Sequence, residues 1–354
     1  MRKINIENVF EGFKNAKTIF DEDGRILLAS GVVIKDAYIE KLRLKGVSEL
    51  YIEDEISEGI TVLDVVCENT RQDAKLIVKD LMENYTLSKA MNTDKVKETV
   101  GKLIEELLSN ADILISLSDL KLVDDYTFGH SVSVCILSLI TGIGLGFNTI
   151  RLKDLGVGAL LHDIGKLKIP SEILKKSTQL TVEEFEEIKK HTVYGFEILK
   201  DNNKISMVSA FIALGHHERY DGSGYPLQLK ADNIHQCASI VAVADVYDAL
   251  TSNVVYRQKM KPHEAAEYII SLSSHHFNKE VVDCFIKYIA IYPIGTGVIL
   301  NTKERGVVIE ANKALPTRPV IRVVFSDKGK RVPRYYEIDL MNNPNVFISE
   351  ACEL

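Results

Sequence analysis

Seven residues in the middle of the chain are of the types that bind catalytic metals: His130, His162, Asp163, His191, His216, His217 and Asp245. They come from five separate segments, so only a folded domain can bring them together. Adjacent His162 and Asp163, in Leu161-His162-Asp163-Ile164-Gly165-Lys166, offer one cation a neutral nitrogen and an anionic oxygen. A carboxylate's two oxygens can also bridge two metals, which makes Asp163 the candidate bridge. Gly215-His216-His217-Glu218 supplies two more histidines and runs into a stretch where Gly222, Gly224 and Pro226 mark a loop able to bring backbone close to a ligand. Asp245 follows the apolar run Ser239-Ile240-Val241-Ala242-Val243-Ala244. A carboxylate in such surroundings is expected to be buried, and must then be paired or bind metal. The chemistry that fits is metal-dependent hydrolysis. Nitrogen and carboxylate donors suit iron, manganese, zinc or nickel, and two metals about 3.5 to 4 Å apart suit phosphoester displacement.

His162-Asp163 with the later His216-His217-Glu218 and Gly224-Tyr225-Pro226 resembles the HD-GYP family, a branch of the HD phosphohydrolase superfamily known for hydrolysing cyclic di-GMP. The resemblance covers residues 116–293 and takes in His130 within Tyr126-Thr127-Phe128-Gly129-His130, His191 within Lys190-His191-Thr192-Val193-Tyr194-Gly195, and Asp245 within Asp245-Val246-Tyr247-Asp248. It implies that His130, His162, Asp163 and Asp245 hold one metal. Asp163, His191 and one or both of His216 and His217 would hold the second. A water bridging the pair would lose a proton near neutral pH and attack phosphorus, while the metals neutralise the non-bridging oxygens. The resemblance also places Lys166, Tyr225 and Asp248 at the substrate. Lys166 would set an ammonium against a phosphate. Asp248 would accept from a guanine edge or a leaving hydroxyl, and Tyr225 either stacks on a base or shapes the loop. Arg219 and Arg257 are further phosphate candidates, set against the ordinary reading of exposed surface arginines. His235, His263, His275 and His276 have no matching carboxylate context and read as structural or exposed.

The departures from the family pattern are specific. Some members carry a glutamate one helical turn before the first ligand histidine, where it helps bind a third metal. Tyr126 stands there, so two divalent metals are expected, iron or manganese foremost, with His217 then beside the ligands rather than among them. Where the family reads Asp-Arg-Pro-Tyr-Arg, this chain has Asn253-Val254-Val255-Tyr256-Arg257. Val254 removes a phosphate or guanine contact, which would weaken cyclic di-GMP affinity or change nucleotide preference. Gln228 and Ala231 occupy positions where glycine is common. The leading expectation is a cyclic di-GMP phosphodiesterase yielding linear pGpG and continuing to GMP. Two alternatives stay open: a phosphohydrolase of another nucleotide, such as a hybrid cyclic dinucleotide, and a non-catalytic nucleotide sensor. The intact ligand set argues against the sensor; Val254 argues for it.

The elements that must position these residues read as mainly helical. Within residues 116–293, long apolar segments are separated by polar turns with few β-branched alternations, the pattern of a helical bundle. Thr181-Val182-Glu183-Glu184 is a capping box that starts the helix leading to His191. Residues 65–115 show helical spacing and are expected to form connecting helices, packed within the chain or on a partner subunit. Residues 1–64 read as a small α+β module, with strands flanking Asp21-Glu22-Asp23-Gly24 and a helix over 35–45 ended by Gly46. Residues 294–354 hold strand-like runs at 298–300, 306–309, 320–325 and 335–338, expected to close into a small antiparallel barrel used for packing or regulation.

Composition agrees with a globular enzyme. The chain has 354 residues, 46% hydrophobic and 26% charged, enough for two or three domains. A net charge of -7 argues against extended nucleic acid as a partner, which needs a basic surface, whereas a dinucleotide needs only a local cluster of positive charge. The five cysteines are odd in number and scattered, suggesting neither a disulfide framework nor a zinc ribbon. The start lacks an apolar signal region, and no run approaches the roughly 18 apolar residues of a membrane span. A cytoplasmic location is expected, with a homodimer or a signalling partner protein compatible with the flanking modules.

Overall fold

A computed structural model describes residues 1–21, 24–88, 91–110, 114, 116, 126–176, 178–252 and 259–354. The chain divides into two compact units. Of the described residues, those within 65–116 and 126–288 form one unit, and those within 1–64 and 289–354 form the other.

The first unit is helical. Its centre is α4 (Tyr126–Gly144), preceded by α2 (Glu68–Ser88) and α3 (Thr93–Ser109) and followed by α5 (Thr149–Leu160). Along α4, Val134, Cys135, Ile136, Leu137, Leu139 and Ile140 are completely buried. A helix apolar on every side belongs inside a bundle, and each such aliphatic contributes about 1.5–3 kcal/mol on burial. It packs against α2, α5, α10 (Gln236–Thr251) and α12 (Lys279–Tyr288). The amphipathic face of α3 (Val96, Val100, Leu103, Leu107) is buried within the chain, where α3 meets α2 and α5. The connecting segment thus packs into the same helical unit that carries the histidines.

A short 3-10 helix (Ile164–Lys168) follows α5, then α6 (Ser171–Leu174), α7 (Val182–Lys189), α8 (His191–Lys200), α9 (Met207–Gly215) and, after α10, α11 (Pro262–Ser271). The capping box forms: Thr181 Oγ1 accepts from the Glu184 amide and the Glu184 carboxylate accepts from the Thr181 amide. Only Lys190 separates α7 from α8, so the capped helix delivers His191 directly.

In the second unit, β1 (Arg2–Asn5), β5 (Glu49–Glu53) and β2 (Lys14–Asn15) form an antiparallel sheet, beside a hairpin of β3 (Ile19–Phe20) and β4 (Ile26–Leu28). Helix α1 (Asp36–Leu44) ends before Gly46, whose φ of +75° is the left-handed conformation that stops it. The C-terminal strands β6 (Gly297–Leu300), β7 (Arg305–Glu310), β8 (Val320–Phe325), β9 (Arg331–Asp339) and β10 (Ile348–Cys352) form one antiparallel sheet in the order β10-β6-β7-β8-β9. The barrel expected from the strand pattern is not closed. Strands β9 and β10 lie at opposite edges without pairing, and β9 is largely solvated along its length. The two ends of the chain share this unit: the Lys3 amide donates to the Gly295 carbonyl at 3.1 Å, and Arg2 Nη1 donates to the Leu354 carbonyl at 2.9 Å. Among the described residues, no helix is long and apolar enough to cross a membrane.

Candidate metal centre

Each histidine reaches the site from a fixed helical address. His130 lies in the first turns of α4, His162 and Asp163 follow the end of α5, His191 opens α8, His216 and His217 follow α9, and Asp245 projects from α10. Gly165 makes the approach possible. A Cβ there would fall 1.8 Å from the His191 carbonyl oxygen and 2.5 Å from the Gly195 amide, so only glycine lets the 3-10 helix lie against α8.

The imidazoles are oriented by their own backbones. Nδ1 of His162 faces the Ala159 carbonyl at 2.8 Å, that of His191 the Ile188 carbonyl at 2.6 Å, and that of His216 the Ala213 carbonyl at 2.9 Å. A carbonyl only accepts, so each Nδ1 carries the proton and each Nε2 presents a lone pair. Those lone pairs converge. His191 Nε2 and His216 Nε2 are 3.3 Å apart, and His162 Nε2 is buried without a hydrogen-bond partner. Lone pairs crowded together in a buried space, beside carboxylates, are what a cation requires, so the donor set fits the metals that the residue types imply.

Asp163 stands between two groups of rings. Its Oδ2 is 3.4 Å from His162 Nε2 and 4.0 Å from His130 Nε2; its Oδ1 is 3.5 Å from His191 Nε2 and 4.0 Å from His216 Nε2. Three overlapping sets, His130–His162–Asp245, His162–Asp163–His216 and His191–His216–His217, each place their donor atoms within 4.8 Å of one another. His217 is the outermost, 27% exposed, with Nδ1 4.0 Å from Asp245 Oδ2. The structure therefore assembles all seven residues singled out from the sequence.

The electrostatics suit metal binding. Burial opposes the charge of Asp163, yet Lys166 and His162 hold its carboxyl well below the usual range; Lys166 Nζ lies 2.5 Å from Asp163 Oδ2. Asp245 is also lowered despite its burial, chiefly by its bond to His130. Burial depresses His191 and His216 and takes His217 down to about 4, leaving those rings neutral and able to ligate.

Other expectations fare differently. Asp248 was expected to face substrate, but it is 1% exposed and lies behind His130, its Oδ2 2.8 Å from His130 Nδ1 and within reach of Ser252 Oγ. Its carboxylate is sequestered by that pairing. Tyr225 stacks on His217, with ring centroids 4.7 Å apart and planes 29° from parallel. Arg219 is exposed on the loop. Arg257 and Val254 lie outside the described residues. Gln228 and Ala231 adopt left-handed φ angles of 56° and 49°. Glu218, to which the motif alone assigns no role, is buried and accepts from the Leu227 amide at 2.6 Å and the Leu229 amide at 3.0 Å, clamping the loop that carries Tyr225. Its place beside paired histidines, before a glycine-rich turn, was the available signal.

Residues 121–281 match the HD domain family, and residues 297–354 match the KOW domain associated with HD domain. A cyclic di-GMP phosphodiesterase of Pseudomonas aeruginosa, PA4108, is 34% identical over 257 residues, covering 73% of this chain and 62% of that protein. A cyclic di-GMP phosphodiesterase of Thermotoga maritima is 43% identical over 177 residues, covering 50% of this chain and 48% of that protein. The chain thus spans less than two thirds of the length of these relatives. Among solved structures, the HDG"Y"P protein Bd1817 from Bdellovibrio bacteriovorus superposes with a TM-score of 0.51 at 20% identity, covering 80% of this chain and 97% of that one, a likeness of fold. Residues 121–281 thus match the HD domain family, and their His162-Asp163 and Gly224-Tyr225-Pro226 motifs resemble those of its HD-GYP branch.

Proposed function

We propose that the chain is a metal-dependent phosphodiesterase that opens cyclic di-GMP to linear pGpG, with further cleavage to GMP. The observation that carries this reading is the Asp163 carboxylate, one oxygen turned toward His162 and His130 and the other toward His191 and His216. His130, His162, Asp163 and Asp245 would hold one divalent ion; Asp163, His191, His216 and His217 would hold the other. Iron or manganese suits these imidazole and carboxylate donors, and zinc or nickel is compatible with them. When bound, two such ions supply Lewis acidity toward phosphoryl oxygens and activate water at neutral pH.

The chain's own residues do the rest. The backbone carbonyls behind His162, His191 and His216 hold each ring in the ligating tautomer, and Asp248 does the same for His130. Lys166, 36% exposed, is the ammonium at the mouth of the site, placed to pair with a phosphoryl oxygen of the substrate. The loop clamped by Glu218 sets Tyr225 as one wall. Water oxygen adds to phosphorus, the bond from phosphorus to the ribose 3′ oxygen breaks, and the proton given up by the water is balanced by the one that this oxygen takes as it leaves as a hydroxyl. The two named relatives support the choice of cyclic di-GMP. The test is a panel of cyclic di-GMP, hybrid cyclic GMP-AMP and cyclic di-AMP assayed at one metal loading. The reading expects the highest kcat/KM on cyclic di-GMP, and a higher value on either other nucleotide would overturn it.

A further inference from the structure

A second cation sits outside the ligand set. Lys189, at the end of α7, holds Nζ 5.0 Å from the Phe185 ring centroid and 5.5 Å from the Tyr225 ring centroid. Tyr225 in turn stacks on His217, so the ammonium lies one ring away from the metal centre. Its carboxylate partner, Glu186 at 2.5 Å, is 59% exposed, and a solvated ion pair of that kind is worth little and readily exchanged. Phe185 is 46% exposed, so the ammonium stands at the protein surface.

We propose that Lys189 is a specificity-determining substrate contact, its ammonium neutralising the phosphate that is not being cleaved. The inference rests on the reading of the substrate as a cyclic dinucleotide. Such a ring carries two phosphodiesters, and the metals and Lys166 account for one. The other needs a cation farther out, and Lys189 replaces Glu186 with it.

The test compares cyclic di-GMP with bis(p-nitrophenyl) phosphate, a diester with a single phosphate, on wild type, Lys189→Met and Lys189→Arg at matched metal content. The expected result is a rise in KM for cyclic di-GMP of about tenfold in Lys189→Met, with kcat and the KM for the single diester each within about twofold. Lys189→Arg, keeping the charge, should recover most of the loss. The rise should shrink as salt is added, since the lost contact is electrostatic. Equal KM changes on both substrates, or none on cyclic di-GMP, would overturn the assignment. Wild-type turnover of the single diester without turnover of cyclic di-GMP would instead sink the substrate reading, and the Lys189 assignment with it.

Discussion

Two carboxylates on α10, three residues apart, hold opposite sides of His130: Asp245 meets its Nε2 at 3.0 Å and Asp248 its Nδ1 at 2.8 Å. Burial works against a charged ring there, but the two carboxylates win and push the His130 pKa up to about 10. The metal-free protein therefore carries a proton that a cation must displace. Metal affinity should rise by about tenfold per pH unit from neutrality toward pH 10 and flatten above it, because the other depressed imidazoles are already neutral and release nothing. Chelator competition across that range measures it, and affinity independent of pH would contradict the protonated pair. Asp248→Asn discriminates between the two roles drawn for that residue. As the group that orients His130, its loss should weaken metal binding by about 10- to 100-fold. A substrate contact would raise KM and leave metal content intact. The candidate ligands were legible in the sequence because their chemistry is local: a His-Asp pair, two adjacent histidines, a carboxylate after an apolar run. The position of Asp248 was not, since it depends on how α10 packs on α4 and on which neighbour claims the carboxylate first.

At the scale of elements, the site depends on how closely the 3-10 helix approaches α8. Gly165→Ala would drive a methyl into the His191 carbonyl, and no rotamer can relieve a clash with backbone. The expected cost is about 3 kcal/mol, read as a lower thermal midpoint together with reduced metal content. Gly101→Ala in α3 is the control, because nothing lies within 4 Å of its added Cβ and alanine favours a helix by about 1 kcal/mol. Equal midpoints for the two variants would remove the packing argument. The loop is the opposite case. Gln228 and Ala231 hold left-handed φ angles at positions where the family commonly has glycine, so Ala231→Gly should raise the denaturant midpoint, by up to about 1 kcal/mol in stability. The capping box before α7 could be read from four residues because both of its hydrogen bonds are local. The Glu218 clamp could not, since its partners Leu227 and Leu229 are reached only after the loop folds back.

For the whole molecule, the helical unit carries every residue of the candidate metal centre, while both ends of the chain build the other unit. There Ile294 packs with Ala16, Tyr51 and Val62, and Arg2 binds both Asp54 and Leu354. The strand runs were visible as alternating apolar segments, but neither the open edges of the C-terminal sheet nor the union of the two ends could be read, because pairing between distant strands leaves no local trace. Removing residues 297–354 should make residues 1–64 sensitive to protease while metal content stays unchanged. The most direct test of the central claim is hydrolysis of cyclic di-GMP by protein purified without oxygen, with metal measured on the same sample and iron and manganese each supplied. About two metals per chain and turnover to pGpG are expected, both lost in Asp163→Ala. Full metal occupancy without cleavage of cyclic di-GMP, or cleavage undiminished in Asp163→Ala, would contradict it.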